Sequence, residues 1–206
     1  MAQFSRIEVA SVMKETGMIP LFFNNDIELS KKVLKACYDG GARLMEFTAR
    51  GDFAHEVFGE LTKYAIAELP GMIMGVGSVT DGAAASLYMA LGANFIVTPV
   101  LREDIAIACN RKKVLWSPGC GTLTEIARAE ELGCEIVKLF PGGIYGPDFV
   151  KAIKEKNHIL LETGVLLKNS IKPLKKKTLH IPQPQQLRTK MYQRKYKPKR
   201  RLSQHT

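Results

Sequence analysis

The chain has 206 residues, 46% hydrophobic and 24% charged, which is ample for one domain with a substantial core and ordinary for a globular protein in water. Its four cysteines (Cys37, Cys109, Cys120, Cys134) are scattered with no CxxC pair, which argues against a disulfide framework or a zinc site and for reduced cytoplasmic thiols. The net charge of +10 is uneven: residues 1–165 hold 17 Lys/Arg against 20 Asp/Glu, a net of −3, whereas residues 166–206 hold 13 Lys/Arg and no acid. The composition therefore breaks near residue 165, into a domain over 1–165 and a basic tail over 166–206.

The opening segment "MAQFSRIEVASVMKETG" has no continuous apolar stretch of the kind a signal peptide needs. The longest apolar run, "YMALGANFIVTPVL", is too short and broken to span a bilayer. From there the chain alternates. Short β-prone runs recur at "MIPLFF" (18–23), "RLMEFT" (43–48), "MIMGVG" (72–77), "NFIVTP" (94–99), "VLW" (114–116), "EIVKLF" (135–140) and "HILLE" (158–162).

Between the runs lie stretches with helical spacing. "DIELSKKVLKACYDGG" puts Ile27, Val33, Leu34 and Cys37 on one stripe before a Gly-Gly stop. "DFAHEVFGELTKYAIAEL" repeats the pattern with Phe53, Val57, Leu61, Tyr64 and Leu69. "TDGAAASLYMALGA" and "TLTEIARAEELG" each carry an N-cap candidate and a glycine near the end. Successive βα units predict a parallel sheet, either open and doubly wound or closed as a (β/α)8 TIM barrel. An open sheet usually has a glycine-rich phosphate loop after its first strand. Here that strand leads into "FNNDIE", and the glycines sit after many strands instead. That distribution favours the barrel, whose site is built from all its βα loops.

Within "RLMEFT" the side chains alternate, so Leu44, Glu46 and Thr48 share one face. The same parity in "EIVKLF" puts Ile136, Lys138 and Phe140 together. Both chemistry-bearing groups, Glu46 and Lys138, therefore face the barrel lumen near the ends of their strands. An amine held out of water loses its proton more readily, and a neutral amine attacks a ketone to form a Schiff base. A neighbouring carboxylate then moves protons. Plainer readings remain open: a lone lysine in an apolar strand is often an edge residue reaching for water, and Glu46 with Arg50 reads equally as a surface ion pair. "GVGSV" is not a dinucleotide fingerprint, and "SPGCGT" lacks the Lys of a P-loop and reads as a tight turn with Thr122 capping the next helix.

Taken in order and spacing, "LMEFTAR", "GVGSV", "FIVTPVL", "WSPGCGT" and "VKLFPG" resemble the class I aldolases that split 2-keto-3-deoxy-6-phosphogluconate (KDPG), many of which also act on 4-hydroxy-2-oxoglutarate (KHG). The resemblance covers about residues 10–154. It implies Lys138 as the Schiff-base lysine and Glu46 as the general acid/base. It also implies Arg50 and Ser78 at the substrate carboxylate, Pro99 lining a small pyruvate pocket and Phe140 beside it. No cofactor or metal is expected, the substrates would be pyruvate-containing keto acids, and the family members are typically cytoplasmic homotrimers.

The resemblance stops short of the family's last units, which bind the substrate phosphate. Thr163 and Gly164, in "HILLETGVLLKN", stand where the first of those loops would be. Beyond Gly164 the sequence has no glycine and no recognisable eighth strand, so the barrel is expected to lack its last one or two βα units. The tail itself reads in two ways. Its cations, with Tyr192 and Tyr196 interleaved, suit a nucleic-acid-binding arm. Its abrupt composition suits a disordered or frame-shifted end.

Overall fold

The computed structural model describes residues 2–145, 147–154 and 160–163. The two predicted readings of the tail, and the boundary near residue 165, lie outside them. The chain begins with helix α1 (Arg6–Thr16), then strand β1 (Leu21–Phe22), α2 (Ile27–Asp39), β2 (Leu44–Thr48), α3 (Ala54–Glu68) and β3 (Ile73–Gly77). There follow α4 (Gly82–Ala90), β4 (Phe95–Val97), α5 (Glu103–Lys112), β5 (Leu115–Ser117), β6 (Gly119–Cys120), α6 (Leu123–Glu131), β7 (Ile136–Leu139), α7 (Pro147–Lys154) and β8 (Leu160–Thr163).

Every strand pairing is parallel, in the order β1-β2-β3-β4-β5 and then β6-β7-β8. Only Pro118 separates β5 from β6. It has no N–H to continue a ladder, yet its carbonyl accepts the Lys138 backbone N–H at 2.9 Å. The fold is thus α/β with parallel strands in chain order. "SPGCGT" is in part a correction: Gly119 and Cys120 pair with Lys138 and Leu139 as strand, because β7 offers them a free edge. Thr122 caps α6 as expected, in a capping box with Glu125.

The alternation of side chains divides the interior into two clusters. Met45, Phe47, Met74, Val76, Ile96, Trp116, Cys120 and Val137 pack against Leu34, Phe58, Leu61, Ile105, Ile126 and Ile153 of the helices between and after the strands. The opposite parity, Leu44, Ile73, Phe95, Val97, Leu115 and Ile136, packs against Val9 and Met13 of α1. That helix is not among the sequence-derived elements. It starts with a capping box, Ser5 to Glu8, and ends on Gly17 in the left-handed conformation. Arg6 ties it down, pairing with Glu135 at 2.6 Å, donating to Asn110 Oδ1 at 2.6 Å and to the Gly133 carbonyl.

The stripe predicted for α3 also needs one correction. Phe53 is not in the core. It precedes the helix with φ 59 and is 67% exposed, while Phe58, Leu61 and Ala65 carry the packing.

Candidate active site

β2 and β7 each deliver one ionisable group to the face that packs on α1, two residues beyond the apolar pair Leu44 and Ile136. Those groups are Glu46, 1% exposed, and Lys138, 7% exposed. Two strands that bring nothing but hydrocarbon to this depth cannot hold a lone charge there, whereas a cation and an anion side by side offset each other's lost hydration. Lys138 Nζ lies 4.0 Å from Glu46 Oε1. It also stands 5.4 Å from the centre of the Phe140 ring, which is partly exposed. Burial excludes the surface reading of Lys138 and Glu46: both lie inside, whereas Arg50 is exposed.

Arg50 instead lies just past the end of β2, exposed, with Nε donating to Ser78 Oγ at 3.2 Å. Ser78 has φ 62, an uncommon conformation for a residue with a side chain and one that recurs at functional sites. The Ala49 N–H donates to the Gly77 carbonyl at 2.9 Å, so the ends of β2 and β3 are laced together beside Glu46. A guanidinium fork held by a hydroxyl is a fitting receptor for a small carboxylate.

Pro99 reaches the site through backbone. Its carbonyl and that of Thr98 press so close to Gly119 that a side chain there would overlap them. Gly119 is in turn the register partner of Lys138. On the other side of Lys138 the register partner is Glu162 of β8, followed by Thr163 opposite Leu139. Gly164 lies outside the described residues. Lys138, Glu46 and Phe140 therefore meet directly, Arg50 and Ser78 meet each other, and Pro99 joins through Gly119.

The glycines of "GVGSV" are legible in the sequence as permitting close packing, but not for what packs against them. Gly75 and Gly77 on β3 face the rings and carboxylate of neighbouring strands: a side chain on Gly75 would overlap the Phe95 ring, and one on Gly77 would overlap Glu46 Oε1. The readable signal was the alternation "GVG", which leaves one face of a strand bare. Among the described residues, no three His, Cys, Asp or Glu side chains cluster as metal ligands. Among them also, no helix is long and apolar enough to cross a membrane.

A family model described as "KDPG and KHG aldolase" matches residues 9–172. The chain is similar to the 2-dehydro-3-deoxy-phosphogluconate aldolase of Pseudoalteromonas atlantica, with 29% identity over 72% of this chain and 66% of the relative. It is similar too to the KHG/KDPG aldolase of Escherichia coli K12, with 26% identity over 70% of this chain and 65% of the relative. It thus spans just under two thirds of the length of these curated relatives. Among solved structures, the 2-keto-3-deoxy-6-phosphogluconate aldolase of Zymomonas mobilis ZM4 shares the fold, with TM-score 0.67, 23% identity and coverage of 79% of this chain and 77% of that one.

Proposed function

Because the chain belongs to the KDPG and KHG aldolase family, we propose that it is a class I aldolase, cleaving KDPG to pyruvate and glyceraldehyde 3-phosphate, or 4-hydroxy-2-oxoglutarate to pyruvate and glyoxylate. The observation that carries the reading is the buried pair of Lys138 Nζ and Glu46 Oε1, 4.0 Å apart. A structural lysine gains nothing from burial. A catalytic one gains a nucleophile set beside a proton carrier, both held out of bulk water.

In this reading the neutral Lys138 amine adds to the C2 ketone of the substrate, and loss of water leaves a protonated imine. The substrate C4 hydroxyl gives its proton to the Glu46 carboxylate as the C3–C4 bond breaks. The bond's electron pair passes into the imine, which leaves an aldehyde and an enamine. Glu46 returns a proton to C3, and water releases pyruvate and regenerates Lys138. Arg50, held by Ser78 at 3.2 Å, would receive the C1 carboxylate, with Pro99 and Phe140 walling the methyl end. The family resemblance assigns Thr163 and Gly164 to binding the substrate's far end.

The finer architecture proposed is a (β/α)8 barrel. It is supported by the chain-order parallel pairing, by α1 packed on one face and α2–α7 on the other, and by the Zymomonas fold likeness. β5 and β6, broken only at Pro118, act as one strand, so the described residues supply seven of the eight strand positions. Family membership also supports a cytoplasmic homotrimer working on sugar-acid breakdown, as in the Entner–Doudoroff route; analytical ultracentrifugation tests the trimer.

Borohydride reduction in the presence of pyruvate is the direct test of the chemistry. It should fix a pyruvyl group on the peptide holding Lys138 and leave Lys138→Ala unlabelled. Equal labelling of that variant would remove the proposal.

A further inference from the structure

Glu46 reaches Lys138 across the end of β3, and what it crosses is bare backbone. Gly77 is the last residue of that strand, paired in register with Thr48, and it is buried. A Cβ placed on Gly77 would overlap Glu46 Oε1 and would stand 2.6 Å from Cδ and 2.9 Å from Cγ. Oε1 and Cδ belong to the carboxylate itself. Gly77 does not have the positive φ that would explain a glycine by backbone conformation; the left-handed residue is its neighbour, Ser78. Its ladder neighbours also hold the backbone still, since the Gly77 carbonyl accepts the Ala49 N–H at 2.9 Å. The glycine is therefore explained by the space above it, and the occupant of that space is the carboxylate.

We propose that Gly77 is a positioning residue for proton transfer, a shelf whose missing side chain sets the 4.0 Å separation between Glu46 and Lys138. It touches no substrate. It acts through Glu46 alone, so its loss should separate two steps that rest on the two partners. Imine formation needs the Lys138 amine. Exchange of the pyruvate methyl protons needs a base beside C3: a C3 proton passes to the carboxylate, its electron pair enters the imine, and the reverse step returns a proton from the solvent pool.

This inference rests on the aldolase reading, and its test separates the two. Gly77→Ala should still be trapped on Lys138 by pyruvate and borohydride, but should exchange the pyruvate methyl protons for deuterium roughly 100-fold more slowly, the usual share of a positioned acid/base group. Shortening the carboxylate should relieve the overlap, so Gly77→Ala/Glu46→Asp should exchange faster than Gly77→Ala. Unchanged exchange in Gly77→Ala, or no recovery in the double variant, overturns the proposal.

A thermal cycle with Glu46→Ala gives a second reading that needs no activity. Gly77→Ala should lower the melting temperature in the parent chain and much less where Glu46 is already alanine. An equal loss in both backgrounds, or failure of both to fold, would mean that the glycine serves something other than Glu46 and would overturn the inference. Wild-type protein that neither traps nor exchanges pyruvate would defeat the aldolase reading, while the thermal cycle would still decide the role of Gly77.

Discussion

Burial pushes the thiols of Cys109 and Cys120 up to about 12 and raises that of Cys134 as well. Cys37, half-buried, is raised by the same cause. A thiol in the unfolded chain ionises near 8.5, so above that pH the unfolded state sheds protons that the folded state keeps. Stability contributed by these sites is complete below about pH 8.5 and declines as pH rises toward the folded values. Iodoacetamide at pH 8 should therefore label Cys37 first and leave Cys109, Cys120 and Cys134 untouched until denaturant is added; peptide mass spectrometry reads the order. Cys120 and Cys134 were legible in the sequence as small core residues, because small apolar side chains without a CxxC partner have no other evident use. Lys138 and Glu46 were legible too: on a short strand the face of a residue follows from counting by two. Gly77 was legible only as room for close packing. Its meaning lies in a carboxylate 31 positions earlier in the chain, and no local pattern reports what stands opposite an absent side chain.

Helix ends show the same division between local and distant causes. Thr122 could be recognised as a cap because its partner Glu125 is three residues on, and in the fold each side chain meets the other's backbone N–H. Two helices left no such mark: α3 and α5 begin after Phe53 and Arg102 with no side-chain cap. Phe53 was misplaced because hydrophobicity by itself does not show that the backbone turns left-handed one residue before α3. The box at α6 gives a test with a sign. The Gly121 N–H, followed by Thr122, holds the Glu125 carboxyl below its usual range. Its share of stability is present above the ordinary carboxylate value and lost as pH falls through the lowered one. Thr122→Ala should cost about 1 kcal/mol at neutral pH. Losing the Thr122 hydroxyl bond should also soften the acid side of the stability profile without abolishing it, since the Gly121 and Thr122 N–H groups still donate to Glu125; urea melts at several pH values would show this.

The two clusters also assign different jobs to the two faces of the strands. One joins the sheet to its helices; the other joins it to α1 and then, further along the same strands, becomes the site. Met13, 6% exposed, belongs to the second cluster and lies on α1, not on the strands that carry Glu46 and Lys138. Met13→Ala should therefore lower unfolding stability by about 2–5 kcal/mol while borohydride trapping per folded molecule stays unchanged. A urea midpoint measured beside the trapping assay tests both halves. Loss of trapping at full folding would show that α1 sets the site as well as the core.

The alternation along β7 has a consequence for how such a protein tolerates change. Val137, Lys138 and Leu139 are all buried, and only their parity decides which of them meets Glu46. A strand tolerates many spelling changes that keep hydrocarbon on both faces. A single inserted or deleted codon upstream in β7 would instead rotate the lysine to the helix side and present a leucine or valine to the carboxylate. The composition would scarcely alter, and a scan for hydrophobicity would register nothing. In this fold the amine is stored as a matter of phase, so its genetic vulnerability lies in punctuation more than in vocabulary.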